Sequence, residues 1–137
     1  MTSRATLEAL LARVLEGTGP DRELDGAAWC AANGFPFVKW DGAGVVWRGA
    51  DGSIQHYSAL RLPPYTASLD VVLRDLLPEG WDWERTPQED KALVAVFIDI
   101  PLPDGSRKSE WIGEIHADDK RALIAACLKA RMEALGE

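Results

Sequence analysis

The sequence predicts an α+β fold, in which helices pack on a mainly antiparallel sheet. Apolar residues recur at helical spacing near both ends of the chain, whereas residues 35–57 alternate with a period of two. The dipeptides Asp41-Gly42 and Asp51-Gly52 divide this middle region, and Asp-Gly between apolar segments is typical of hairpin turns. We therefore expect one domain over residues 1–137, with the element order ααβββαβββα.

The first helix is predicted over residues 2–16, because large apolar residues form one stripe along it, at Leu7, Leu10, Leu11, Val14 and Leu15. Thr2 or Ser3 is the expected N-cap, since both carry a hydroxyl that accepts a backbone hydrogen bond. Gly17 is the expected end of this helix.

The second helix is expected to begin at Pro20, with Thr18 or Gly19 as its cap, because proline suits the first helical turn. Its predicted buried stripe consists of Leu24, Ala27, Ala28 and Ala31. Asn33-Gly34 should end it, since both residues tolerate the left-handed conformation.

Three strands should follow as an antiparallel meander over residues 37–40, 44–48 and 53–57. A short helix comes next, capped by Thr66 or Ser68 and ended by Pro78 and Gly80. Its core-facing residues are predicted to be Leu69, Val72, Leu73, Leu76 and Leu77.

A second group of strands is predicted in the C-terminal half. Residues 81–85 indicate a short strand, and residues 86–90 a polar loop. Residues 93–100 are almost all apolar and β-branched, which predicts a central strand covered on both faces. A turn at residues 103–106 returns the chain into a strand over residues 109–116.

The last helix is predicted to start at Asp118 or Asp119 and to end near Leu135. Its inward stripe is made of small residues, at Leu123, Ala126, Cys127, Ala130 and Ala134, with lysine and arginine outward. Such a stripe allows close approach to a sheet.

Composition narrows the classes of function. The formal net charge of −7 opposes general binding to nucleic acid. Cys30 and Cys127 lie in apolar helical stretches, where buried thiols are expected. No apolar run is long enough to span a bilayer, and the N-terminus lacks the apolar region of a signal peptide. We therefore expect a cytoplasmic protein of a bacterial cell.

Catalytic and metal-binding motifs are not found in the sequence. The two histidines, His56 and His116, belong to none of the known nucleophile, phosphate-loop or zinc-ligand patterns. The acidic pairs at 89–90 and 118–119 are explained as solvated or capping charges, and Asp99 is expected to face water beyond the covered part of its strand. The prediction is a non-catalytic protein without metal or cofactor.

The most distinctive segment is YTASLD at residues 65–70, followed by VVLRDLLPEGW at 71–81. Together with residues 19–25 and 122–131, it resembles the phage ABA sandwich family. The resemblance covers about half of the chain in these three blocks. It implies a phage or prophage origin and an α/β/α sandwich with helices on both faces of the sheet, but no established chemistry.

Four residues of the family-like segments are predicted to bind a ligand: Arg22, Tyr65, Thr66 and Ser68. Backbone N–H groups at a helix start suit a phosphate, Arg22 would pair with it, and Tyr65 would lie against a base. The alternative is structural. In that case Asp25 or Asp70 pairs with Arg22, the hydroxyls cap the helix, and the two motifs are locked together.

Trp81 and Trp83 complete the predicted site, because their spacing places both on one face of a strand. With Trp40 and Trp47 they would form an aromatic surface for a base, a peptide or a protein, whereas core filling is the commoner use of tryptophan.

Two functions follow from these patterns. The first is capture of a small anionic, nucleotide-type ligand such as a host defence signal. The alternative is an interaction or assembly protein that uses an aromatic patch to bind a host or phage protein, or a second copy of itself.

Overall fold

The computed structural model describes residues 3–77 and 80–134. These form four α-helices, a 3-10 turn and six strands, in the order α1 (Arg4–Glu16), α2 (Arg22–Asn33), β1 (Phe37–Trp40), β2 (Gly44–Arg48), β3 (Ile54–Ser58), the turn (Tyr65–Ala67), α3 (Leu69–Asp75), β4 (Asp82–Gln88), β5 (Lys91–Pro101), β6 (Arg107–His116) and α4 (Asp119–Ala134). The predicted α+β class and element order are confirmed. The predicted cap Thr2, the stop at Pro78 and the helix end near Leu135 lie outside the described residues.

The strands form two separate antiparallel sheets of three strands each. The N-terminal sheet has the order β1-β2-β3, and the C-terminal sheet the order β4-β5-β6. The predicted Asp-Gly turns are present, since Gly42, Gly52 and Gly105 all have positive φ. In each turn the preceding aspartate accepts a hydrogen bond from the backbone two residues later, which fixes the turn locally.

Helix α4 lies at the centre of the molecule. It packs on β5 and β6 on one side and on α1 and α3 on the other. Every residue from 121 to 128 is buried, and the run from Ala122 to Leu128 is apolar on all sides, as expected of a buried helical segment. The predicted outward position is therefore wrong for Arg121, which is 5% exposed. Ala134, predicted to face inward, is exposed.

The buried Arg121 has a structural role. Its guanidinium donates to the carbonyl oxygens of Gly19, at 3.0 and 3.2 Å, and of Val14, at 3.2 Å. Asp118 accepts from the Gly19 N–H at 2.7 Å and from the first amides of α4. The start of α4 is thus tied to the α1–α2 loop.

Helix α2 covers the N-terminal sheet. Gly26 allows this close packing, because a Cβ at this position would lie 3.0 Å from the Cβ of Val45. The helix begins later than predicted: Asp21 is its N-cap and accepts from the Leu24 N–H at 3.0 Å. An aspartate side chain satisfies an amide that neither Thr18 nor Gly19 could reach from its position.

Strand β4 is longer than predicted. Residues 86–88 were expected in a loop, but they pair with β5 from Thr86↔Leu93 to Gln88↔Lys91. The turn then consists of Glu89 and Asp90, with Glu89 at a φ of 51°. A glutamate at positive φ gives no sequence cue for a turn, which explains the difference.

Candidate interaction surface

The predicted ligand residues of α2 and the 3-10 turn meet in a buried cluster, here called the polar lock and formed by Asp21, Arg22, Asp25 and Thr66. Asp25 is completely buried. Its carboxylate accepts from the Thr66 backbone at 2.8 Å, from the Thr66 hydroxyl at 2.7 Å and from Arg22 at 2.8 Å. The Asp21 N–H donates to the Thr66 hydroxyl at 2.7 Å. The polar groups of the lock therefore satisfy one another.

Arg22 uses its second terminal nitrogen in the same way. That nitrogen donates to the carbonyl oxygens of Ala59 and Leu62, at 2.6 and 2.9 Å. The guanidinium thus joins α2 to the connector between β3 and the 3-10 turn. This geometry matches the structural alternative, with Asp25 rather than Asp70 as the partner of Arg22.

Tyr65 and Ser68 also have internal roles. Tyr65 is 1% exposed, and its hydroxyl donates to Asp75 at 3.2 Å. Burial, reinforced by the negative charge of Asp75, raises the pKa of the Tyr65 phenol. Ser68 caps α3 by accepting from the Val71 N–H. The Tyr65 ring has no open side on which a base could stack. Ligand binding at these residues stays a prediction.

Trp81 and Trp83 are half-buried and pack against the main core. Trp83 pairs with Val96 in the C-terminal sheet, so it lies on the face that α4 covers. Trp40 and Trp47 lie in the other sheet, where Trp47 stacks on Phe35 with ring centroids 3.9 Å apart. The structure therefore does not bring these four tryptophans together on one surface.

A different aromatic pair is exposed on the C-terminal sheet. The residues of β5 that face α4 are Ala92, Val94, Val96 and Ile98, and all are buried. On the opposite side, here called the open face, Phe97 is 38% exposed, Trp111 51% and Ile115 50%. The prediction that β5 is covered on both faces is therefore wrong at Phe97, where the strand remains open to solvent.

Phe97 and Trp111 are cross-strand neighbours, because they pair in the register between β5 and β6. Gly113 provides the seat for the indole: a Cβ there would come within 2.5 Å of the Trp111 ring. The indole N–H reaches Glu84 at 3.3 Å on the far strand β4. Trp111 thus lies across the sheet and covers Ala95, which is fully buried.

The open face is apolar in its middle and acidic along one edge. Leu93 and Ile115 extend the apolar strip, while Asp82 and Glu84 occupy the alternating positions of β4. Asp99 is exposed to water, as predicted, and pairs with Arg107 at 2.8 Å. A groove of about 420 Å³ runs beside Phe97 and Trp111, with Asp82 and Asp99 in its lining.

The sequence contains one pattern that indicates this surface, although the prediction above considered other tryptophans. Ser109, Trp111, Gly113 and Ile115 alternate with period two, which places them on one face of β6. The adjacent β5 residues have no such contrast, since both of its faces are apolar. Sequence alone could not tell which face α4 would cover.

Both histidines have structural partners, and both thiols are buried. His116 accepts from the Asp118 N–H at 2.9 Å, and His56 pairs with Asp41 at 3.2 Å. Burial raises the pKa of both thiols, Cys30 and Cys127, to about 12. Within residues 3–77 and 80–134, no cluster of histidine, cysteine or acidic side chains is arranged to hold a metal ion. No helix in this part of the chain has the length and apolarity needed to cross a membrane.

Comparison with known proteins gives no relative: no family model, no curated protein and no solved structure matches the chain. The resemblance to the phage ABA sandwich family stays a prediction from three short segments.

Proposed function

We propose that this chain is a non-catalytic interaction or assembly protein that binds a protein partner through the open face of its C-terminal sheet. One observation carries the proposal: Phe97 and Trp111 lie side by side on a sheet face, and about half of the indole is exposed to solvent. Exposed aromatic residues that cluster on one face are typical of protein interfaces, where they supply most of the binding free energy.

The rigidity of the surface supports this function. The Trp111 ring rests on Gly113 and is held by Glu84, so little side-chain freedom is lost when a partner covers it. The acidic residues Asp82 and Glu84 favour a partner whose docking surface combines apolar side chains with lysine or arginine.

The nucleotide-type ligand has weaker support, because Arg22, Tyr65 and Thr66 already bond within the chain. A ligand at these residues would have to replace several hydrogen bonds that are now made internally, and each buried group left unpaired costs about 1–3 kcal/mol.

Native mass spectrometry of the protein purified from the cells that carry its gene tests the proposal. We expect a complex with a protein partner for the wild type, and loss of that complex in Phe97→Ser–Trp111→Ser. Leu60→Ser is the matched control, because it removes a fully exposed apolar side chain from a loop remote in sequence. The control should retain the partner.

Three results would overturn the proposal. They are a protein with no bound partner, a partner retained by the double variant, and a mass of nucleotide size released on denaturation. The last result would favour the ligand-binding function instead.

A further inference from the structure

The groove on the open face has the size and the lining to receive one side chain of a partner. Its volume is about 420 Å³, and its lining combines the rings of Phe97 and Trp111 with the carboxylates of Asp82 and Asp99. Asp82 pairs with Phe97, and Phe97 with Trp111, so these three residues form one row across the three strands. Neighbouring strands lie about 4.8 Å apart, which makes the row roughly 10 Å long. One extended side chain can therefore contact all three residues.

Trp111 presents one side of its indole to solvent. The inner side of the ring lies against Gly113, where a Cβ would come within 2.5 Å of it, yet the residue is 51% exposed. Glu84 accepts the indole N–H at 3.3 Å, which places a negative charge at the edge of the ring. The face of an aromatic ring carries negative potential and attracts cations, arginine more often than lysine. The outer side of Trp111 is therefore suited to a cationic group.

Asp82 is the carboxylate of the groove that is available to such a cation. Asp99 pairs with Arg107 at 2.8 Å, and Glu110 pairs with Lys108 at 3.0 Å. Asp82 is exposed and has no cationic partner among the described residues. Its charge is therefore not balanced from within this part of the chain.

Lys91 lies on the same face, but at the opposite end of it. It precedes Phe97 by six residues along β5, and at about 3.4 Å per residue the two positions are roughly 20 Å apart. This separation is about twice the Debye length of about 10 Å in 0.1 M salt. Lys91 therefore does not repel a cation in the groove, and the negative charge around Trp111 is a local property of this end of the sheet.

We propose that the partner of the open face places an arginine side chain in this groove, where the guanidinium stacks on Trp111 and pairs with Asp82. The inference rests on the proposed function and names the chemistry of its partner. Arginine fits better than lysine, because its planar and weakly hydrated guanidinium can stack on a ring while its N–H groups donate to a carboxylate. Phe97 would cover the apolar stem of the same side chain.

Two short peptides of equal charge, triarginine amide and trilysine amide, test the inference. Isothermal titration calorimetry measures their affinities, and the NMR signals of the tryptophan indole N–H groups locate the contact. The signal of Trp111 is identified by its absence from the spectrum of Trp111→Ser. We expect triarginine to shift this signal and to bind about three- to fivefold more tightly than trilysine, which is the factor expected of an exposed cation–π contact.

Asp82→Asn should weaken the binding of triarginine about threefold, because it removes the charge that pairs with the guanidinium. Asp90→Asn is the matched control, since it removes the same charge from the exposed turn at the other end of the sheet. This control should leave the affinity nearly unchanged. Phe97→Ser–Trp111→Ser should lose the preference for arginine over lysine. Circular dichroism and urea midpoints verify that these exposed substitutions leave the fold intact.

The natural complex provides the second measurement. Once native mass spectrometry has identified the protein partner, Asp82→Asn should raise its dissociation constant about threefold, and Asp90→Asn should not. An effect of the same size in both variants would reflect net charge alone and would overturn the inference.

The outcomes separate this inference from the proposed function. Equal affinities for the two peptides, a Trp111 signal that triarginine does not move, or an arginine preference that Phe97→Ser–Trp111→Ser retains would overturn the arginine contact. If a protein partner is nevertheless lost in that double variant, the proposed function stands without it. If no protein partner binds the wild type, the proposed function and the arginine of its partner are both overturned, whatever the peptides show.

Discussion

The polar lock and the open face both contain charged side chains, but they differ in how those side chains are satisfied. In the lock, Asp25 is fully buried and accepts three hydrogen bonds from within the chain. On the open face, Asp82 has no cationic partner within the described chain, and Trp111 exposes half of its surface. Residue type suggests where a ligand could bind, but only unsatisfied surface is available for one.

The largest effect is expected from breaking the lock. Asp25→Ala leaves the Thr66 amide and the Arg22 guanidinium without their carboxylate, and the unfolding free energy should fall by about 2–4 kcal/mol. Asp70→Ala is the matched control, since Asp70 is exposed in the same motif and should cost less than about 0.5 kcal/mol. Urea unfolding measures both. Equal effects would show that the motif is not held together by Asp25.

The next largest effect is expected at high pH, which should lower the unfolding free energy through the two buried thiols. Burial raises the pKa of Cys30 and Cys127 to about 12, whereas an unfolded thiol has a pKa near 8.5. The contribution of the two thiols to stability is therefore complete below about pH 8.5 and is lost as the pH rises toward 12, because the unfolded thiols release their protons first.

Unfolding midpoints between pH 8 and pH 10 measure this loss. The double variant Cys30→Ala–Cys127→Ala should show a shallower decline than the wild type, whatever its stability at pH 7. If stability declines equally with pH in the variant and the wild type, the thiols do not cause the decline. Their pKa values would then be ordinary, and they should react with a thiol reagent in the folded protein.

The smallest stability effect is expected on the open face. Trp111→Ser should lower the unfolding free energy by about 0.5–1 kcal/mol, because the ring is half exposed and contributes mainly cross-strand contacts. Trp83→Ser, on the face that α4 covers, should cost about 2 kcal/mol or more. Urea denaturation measures both losses. If the two variants lose the same unfolding free energy, Trp111 is packed as tightly as Trp83 and is not a surface residue.

Local sequence patterns predicted most of the elements, because their signals act over a few residues. The Asp-Gly turns of the N-terminal sheet required only the left-handed tolerance of glycine and a nearby carboxylate. Ser68 and Gly34 marked helix ends for similar reasons. The loop predicted at residues 86–90 was too long, since pairing with β5 holds residues 86–88 in β4 and only Glu89 and Asp90 form the turn.

The candidate site depended on long-range contacts, and so it could be predicted only in part. Arg22, Asp25 and Thr66 belong to the larger cluster that the family-like segments predict, but the sequence does not show whether these side chains face a ligand or one another. In the structure, Arg22 bonds to Asp25 and to the carbonyl oxygens of Ala59 and Leu62. Phe97 and Trp111 were not singled out, because exposure of a strand depends on which side receives a helix.

The sequence by itself determined the element order, the turn positions and the separation of apolar from polar segments, since these follow from local propensity and periodicity. Only the tertiary structure decided that the strands form two sheets, that residues 121–128 of α4 are buried on all sides, and that one face of β5 stays open. The physical reason is that β5 is apolar on both faces, so burial of either face would be favourable and the sequence pattern does not distinguish them. The packing of α4 decides, and it covers the side formed by Ala92, Val94, Val96 and Ile98.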